Sequence, residues 1–259
     1  MGLKPFAVVT GASRGIGAAY ARALARQGYD LLLVARDKAR LDALSGELHQ
    51  LGSGDLFIDA LDLAEADAAH RLFVAARQRR PVVDLLVNNA GFGIFGGFVD
   101  TPLPRIQEML RVHVNTVIES IRLFLPGMCE RRSGAIITVS SVAGWFAVPY
   151  FAEYAATKAF LISFSESLAE EVRAAGVRIQ VCCPATTDTD FHRTAGFKPD
   201  SPLGGQTADQ VVATSLAALK RDSVVVPSGW RARIIRWISR VVPRRMLVRQ
   251  AARRMKPRG

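Results

Sequence analysis

The chain has 259 residues, 49% of them hydrophobic, and a formal charge of +11. That is ample apolar material for a buried core, yet no uncharged apolar run reaches the roughly 18 residues of a spanning helix. The charge is localised: from Trp230 onward the chain holds eleven of its 34 Lys and Arg and no acid, leaving 23 of each sign elsewhere. A neutral body with one basic end excludes a nucleic-acid-binding face spread over the fold.

The cysteines, Cys129, Cys182 and Cys183, form no CxxC pair, and the four His show no metal-ligand spacing. This predicts a reducing, cytoplasmic setting with neither a disulfide framework nor a metal site. Met1 to Pro5 leads straight into an apolar run without the features of a secretory leader.

Seven short apolar runs predict strands at 6–10, 31–35, 56–60, 85–89, 135–140, 177–183 and 223–227. They are too continuously apolar for strands with one wet face. Helical patterns lie between them at about 15–27, 38–51, 64–79, 104–130, 153–175 and 207–220. Such alternation predicts an α/β, doubly wound, seven-stranded parallel sheet with helices on both faces. No linker divides residues 1–228, which form one domain; residues 229–259 are a basic extension rather than a second domain. One long irregular stretch, 184–206, is long enough for a functional loop.

After the first strand comes Thr10-Gly11-Ala12-Ser13-Arg14-Gly15-Ile16-Gly17. Glycines before a helix allow a tight turn, and the helix N-terminus offers free N–H groups to a pyrophosphate. The second strand ends in Ala35-Arg36, where an acid would be needed to hold a ribose 2′-OH. Arg14 and Arg36 instead suit a 2′-phosphate, which predicts NADP(H). Asp62 and Leu63 follow the third strand; Asp62 either accepts from adenine or caps the next helix.

Tyr154 and Lys158 stand one helical turn apart. A nearby ammonium lowers a phenol's pKa, which makes Tyr154 a general acid or base for a ketone and its alcohol. Ser141, at the end of the fifth strand, is placed to donate to a carbonyl oxygen. Asn115 is expected to hold a water that passes protons to Lys158. Asn89, Ala90 and Gly91 end the fourth strand and would line the cofactor. Tyr150, with Tyr154 rather than Lys at i+4, is expected in the pocket wall or in packing. Trp145, Phe146, Val148, Phe151 and Phe191 suggest an apolar substrate, and His192 is a further loop candidate.

TGASRGIG at 10–17, NNAG at 88–91, Asn115, Ser141 and YAATK at 154–158 occur in one order along the body. In this the chain resembles the short-chain dehydrogenase/reductase family, and its two Arg resemble the NADP-preferring members. The resemblance implies a Rossmann fold, a nicotinamide cofactor, and a tetrad of Asn115, Ser141, Tyr154 and Lys158, with Lys158 also on the nicotinamide ribose. It implies that Pro184, Thr187 and Thr189 meet the nicotinamide end, and that the protein is a homo-oligomer acting on a small carbonyl or alcohol. One departure is Ala185, where the family has Gly after the Pro. The alternative from another class is a cofactor-binding sensor with little turnover, against which an intact Tyr154, Lys158 and Ser141 argue.

In the extension, Trp230, Ile234, Ile235, Trp237, Ile238, Val241 and Val242 approximate one helical face among arginines, and Pro243 ends that helix. Apolar aromatic residues ringed by Arg fit a helix lying in a membrane interface. Packing on the chain's own cleft or on a second subunit fits the same pattern.

Overall fold

The computed structural model describes residues 4–189, 191–196 and 205–256, without the side chains of His192 and Arg193. Seven strands form one sheet: β1 (Phe6–Thr10), β2 (Asp30–Ala35), β3 (Leu56–Ala60), β4 (Leu85–Asn88), β5 (Ala135–Val139), β6 (Arg178–Pro184) and β9 (Val225–Ser228). Their order is β3-β2-β1-β4-β5-β6-β9, with every pairing parallel. Two-residue strands β7 (Thr187–Asp188) and β8 (Gln206–Thr207) pair with each other around the long irregular stretch, which also holds the short helix α7 (Phe191–Thr194).

Period-two alternation explains why the strands are apolar throughout. Phe6, Val8, Leu32, Val34, Leu86 and Ile136 enter one core layer, with Leu72 of α3 (Ala68–Arg79), Ile121 of α5 (Thr116–Glu130) and Leu161 of α6 (Ala152–Val172). Ala7, Val9, Leu31, Leu33, Val87 and Ile137 enter the other, with Tyr20 of α1 (Gly15–Arg26), Leu41 of α2 (Lys38–Gln50) and Val212 of α8 (Ala208–Leu219). Both faces are therefore covered. One buried polar chain crosses the second layer: Tyr20 donates to Ser215 Oγ at 2.6 Å, and Ser215 in turn donates to Gln180 Oε1. The cysteines are free, and Cys182 and Cys183 are buried.

The chain runs β1-β2-β3 toward one edge, then returns to place β4 on the other side of β1. At that switch the crossovers diverge and leave a crevice at the carboxyl ends of the strands. The turn after β1 and the ends of β4, β5 and β6 all open into it.

One expectation is revised. The pattern at 104–130 is not one helix: α4 (Leu103–Leu110) and α5 are joined by a π-helical turn, Arg111–Asn115. The extension forms α9 (Gly229–Val241) and α10 (Arg244–Met255), split at Pro243, and of the seven apolar residues of its first half Ile235, Ile238 and Val242 are half-buried. Ala232 is fully buried toward the body, whereas Trp230, Ile234, Trp237 and Val241 are exposed, Trp237 by 64%. No helix among the described residues is long and apolar enough to cross a membrane.

Candidate active site

The crevice is a cleft of about 1770 Å³. A drug-sized ligand needs roughly 300–1,000 Å³, so there is room for a dinucleotide and a second molecule. Gly11, Ser13, Arg14, Gly15 and Ile16 line its floor, with Asn89, Ala90 and Gly91 beside them. Gly11 has φ +64, and a Cβ there would lie 2.8 Å from Ala90 Cα. Gly17 lies buried behind the turn, where a Cβ would sit 2.1 Å from Gly11 O. The turn is held by Thr10, whose Oγ1 donates to Val87 O at 3.1 Å and accepts from the N–H groups of Asn89 and Ala90. Asn89 Nδ2 donates to Thr10 O and Gly11 O. These residues thus brace a compact backbone cradle at the start of α1, of the kind that accepts a diphosphate.

Arg14 and Arg36 are exposed and both line the cleft. Arg40, in the first turn of α2, joins them and was missed. Its signal was its place four residues after Arg36. Arg36 Nη1 sits 3.2 Å from Glu108 Oε1 and 3.8 Å from Asp62 Oδ2. Asp62 Oδ1 accepts from Ala64 N at 3.0 Å, so Asp62 does act in the local turn, and both it and Leu63 line the cleft. Leu63 is fixed by its carbonyl, which accepts from Thr116 Oγ1 at 2.8 Å.

α6 presents Tyr154 and Lys158 on its inner face, 7% and 5% exposed. Lys158 Nζ lies 5.5 Å from the centre of the Tyr154 ring and donates to Val139 O at 2.9 Å. Burial lowers Lys158 to about 8. Tyr154 moves opposite to the sequence expectation: burial pushes it up to about 12, against a smaller opposing effect of Ser141. Desolvation disfavours the phenolate more strongly than its neighbours favour it. The phenol is therefore protonated at neutral pH. Ser141 lines the cleft and caps the following 3-10 turn, accepting from Ala143 N at 3.2 Å.

Asn115 does not join this group. It is exposed and does not line the cleft. The π turn inserts an extra residue into the helical repeat and rotates Asn115 outward. His113 turns inward instead, 1% exposed, its ring 5.8 Å from that of Tyr154. His113 Nε2 accepts from Phe92 N at 3.0 Å, which leaves the proton on Nδ1. Nδ1 then donates to Thr157 Oγ1 at 3.0 Å, and Thr157 donates to Tyr154 O at 2.8 Å. Burial and the Lys158 charge hold His113 well below the usual imidazole range, so it stays neutral. Only the π turn, invisible in the hydropathy pattern, distinguishes these two residues.

At the end of β6 and beyond it, Pro184, Thr187 and Thr189 line the cleft. The turn forms with Ala185 at ordinary negative φ, and Thr187 Oγ1 donates to Ala185 O at 3.1 Å. The side chain of Thr189 lies over Gly15. The wall around Tyr154 is apolar. Phe151 stacks on Tyr154 at 4.4 Å, Phe191 approaches at 5.5 Å, and Phe146 and Val148 also line it. Phe92 and Phe95 complete the wall and were not foreseen. Trp145 and Tyr150 are not in it: Trp145 packs with Ile162, Val181 and Cys183, and Tyr150 adopts φ +61 while its carbonyl accepts from Gly96 N. The His192 side chain lies outside the described residues. The end of α10 returns to this half of the cleft through Arg253, Arg254, Met255 and Lys256.

The family profile for short chain dehydrogenases matches residues 5–198. A short-chain dehydrogenase from Sphingobium yanoikuyae, solved with NADPH, is 31% identical with a TM-score of 0.83, covering 94% of each chain. The bulky-bulky ketone specific alcohol dehydrogenase from Comamonas testosteroni is 28% identical with a TM-score of 0.76, covering 86% of this chain and 85% of that one. Among curated proteins, the very-long-chain 3-oxoacyl-CoA reductase of Homo sapiens is 36% identical over 78% of this chain and 65% of its own length. The probable oxidoreductase EphD of Mycobacterium tuberculosis is 30% identical over 91% of this chain but 43% of its own. The chain thus spans less than two thirds of the length of these curated relatives. Matched by that profile across three quarters of its length, including six of the seven strands of the sheet, the chain belongs to the short-chain dehydrogenase family of oxidoreductases.

Proposed function

We propose that the protein reduces an apolar ketone, or oxidises the corresponding secondary alcohol, with NADP(H), and that Tyr154 exchanges the proton. The observation that carries this is the buried Tyr154–Lys158 pair opening on an apolar wall beside the glycine cradle. When bound, the nicotinamide supplies or accepts the hydride. The N–H groups at the start of α1, beside Ser13, Gly15 and Ile16, would hold the diphosphate, and Arg14, Arg36 and Arg40 favour a 2′-phosphate by charge-assisted hydrogen bonds. Thr187 and Thr189 stand where the nicotinamide end would lie. Ser141 donates to the carbonyl oxygen as negative charge grows there. Tyr154, protonated at neutral pH, delivers its proton to that oxygen, and the Lys158 ammonium stabilises the phenolate left behind. His113 and Thr157 orient the first turn of α6 rather than touch substrate.

A lipid-like carbonyl suits Phe151, Phe191 and the other apolar wall residues. The reductase relatives are named for very-long-chain 3-oxoacyl substrates, and the Comamonas enzyme for bulky ketones, which supports the same class. The test is NADPH oxidation against ketones of rising chain length, with NADH in parallel and Tyr154→Phe as control. Activity that rises with chain length and requires NADPH and Tyr154 is expected. Activity confined to short polar ketones overturns the substrate reading, and equal use of NADH overturns the cofactor reading.

The exposed stripe of Trp230, Ile234, Trp237 and Val241 is flanked by exposed Arg233, Arg240, Arg244 and Arg245. This complements an anionic lipid surface, at about 1 kcal/mol per basic residue near it. The full chain should float with anionic vesicles, and W230S/W237S should float much less. Equal flotation of the two, or a dimer that the double substitution dissolves without lipid, would assign the stripe elsewhere.

A further inference from the structure

α10 brings basic residues back to the cleft. Met255 packs against the cluster of Met109, Val148, Phe151 and Tyr154, the apolar half of the site. Arg254 and Lys256 flank Met255 in sequence, Arg253 precedes them, and all three cations line the cleft and are exposed. Among the described residues, the carboxylates that line the cleft are Asp37, Asp62 and Glu108. Each is engaged by an arginine of the cofactor half: Asp37 by Arg40, Asp62 and Glu108 by Arg36. Among the described ion pairs, none includes Arg253, Arg254 or Lys256. Among the described residues the site therefore joins an apolar wall to a positive rim that no carboxylate pairs.

Cations clustered at the mouth of a low-dielectric cleft raise the local concentration of anions. The cofactor half already has its own anion-binding parts, the glycine turn with Arg14, Arg36 and Arg40. The rim at α10 lies instead over the residues against which a carbonyl substrate would rest.

We infer that the end of α10 is a substrate-recognition element, in which Arg253, Arg254 and Lys256 hold the anionic head of an amphiphilic carbonyl substrate whose apolar body lies against Phe151, Phe191 and Met255. The substrate class is then a ketone on an apolar chain that also bears a phosphate or carboxylate. This rests on the carbonyl-reduction reading above and adds the head-group chemistry to it.

The test uses matched probes and the full chain. Decan-2-one bearing a terminal hydroxyl is compared with its terminal phosphate monoester and with the matching ω-carboxylate, in wild type and in R253Q/R254Q/K256Q. Exposed substitutions at a helix end spare the core. Wild type should prefer the anionic ketones in kcat/KM, and the anionic-to-neutral ratio should fall about tenfold in the triple variant, as three partly screened contacts would give. The wild-type preference should also shrink with added salt. A wild-type preference for the phosphate but not the carboxylate, lost in the triple variant, would name phosphate as the head. An unchanged ratio overturns the inference, as does a change confined to the affinity for NADPH. Calorimetric titration of dodecyl phosphate into the NADPH-loaded protein reads the rim without turnover. Binding lost in the triple variant supports the rim even if every ketone proves inert, which would fail the reduction reading alone; binding unchanged in the variant overturns the rim.

Discussion

The two halves of the cleft are built differently. The floor of the cofactor half is backbone: a glycine turn, contiguous in sequence, placed by the strand that precedes it and braced by Thr10 and Asn89. The substrate half is side chain, gathered from the π turn, α6, the stretch after β6, and the end of α10. A backbone site tolerates few changes because its geometry is its chemistry. A site of converging side chains can change its ligand while keeping its proton donor, and each contributor can be tested alone.

The sharpest break falls on the group both halves share. Tyr154→Phe should lower ketone reduction by about 10²–10⁴-fold while NADPH affinity is retained, measured by stopped-flow and by fluorescence titration. Loss of cofactor binding as well would show that the halves are not separable there. Next, R36A/R40A should weaken NADPH by about ten- to a hundredfold with little effect on NADH, since charge-assisted bonds to the 2′-phosphate contribute about 1.5–3 kcal/mol each and Arg36 is partly engaged by its carboxylates. Equal losses for both cofactors would remove the arginines from 2′-phosphate recognition.

A smaller effect is expected from pH. With Lys158 held near 8 and Tyr154 near 12, reduction should be level at neutral pH. It should then fall by up to about tenfold per unit once the ammonium is lost above pH 8. A profile flat to pH 10 would detach Lys158 from proton delivery. Stability responds with the opposite sign in the same range. Lys158 is lowered from 10.5 on folding, so the unfolded chain binds more protons between about 8 and 10.5 and this group's contribution to stability rises with pH there. Tyr154 is raised from 10.0, and its contribution is lost as pH climbs from 10 toward 12. The smallest effect should come from His113→Phe, which keeps a ring but cuts the link to Thr157. A modest fall in kcat with KM little changed and an altered pH profile would mark a positioning residue. A fall in thermal stability alone would make His113 only structural.

What was legible in the sequence follows the same division. Strands buried on both faces announce themselves as apolar runs, and all seven appear within two residues of their predicted ends. The glycine turn and the i, i+4 pair of Tyr154 and Lys158 are local patterns, so their placement in the cleft could be foreseen. Asn115 could not be placed correctly, because a π turn changes which residue faces inward without changing composition. The direction of the Tyr154 shift was also hidden, since it depends on how completely the fold withdraws water from the ring. For the extension, amphipathicity was visible but its orientation was not: Ala232, not the tryptophans, meets the body. That Met255 returns to Phe151 and Tyr154 is a contact across roughly 100 residues of chain, beyond any periodicity argument.

Only Val242 and Pro243 separate the last residue of α9 from the first of α10. The face that presents Trp230 and Trp237 outward is thus joined by a two-residue link to the helix whose end lines the substrate half. If a surface holding α9 shifts α10 toward the cleft, substrate must tighten the hold on that surface by the same factor, because coupling between two binding events is reciprocal. The tail would then report to the outside whether the cleft is full.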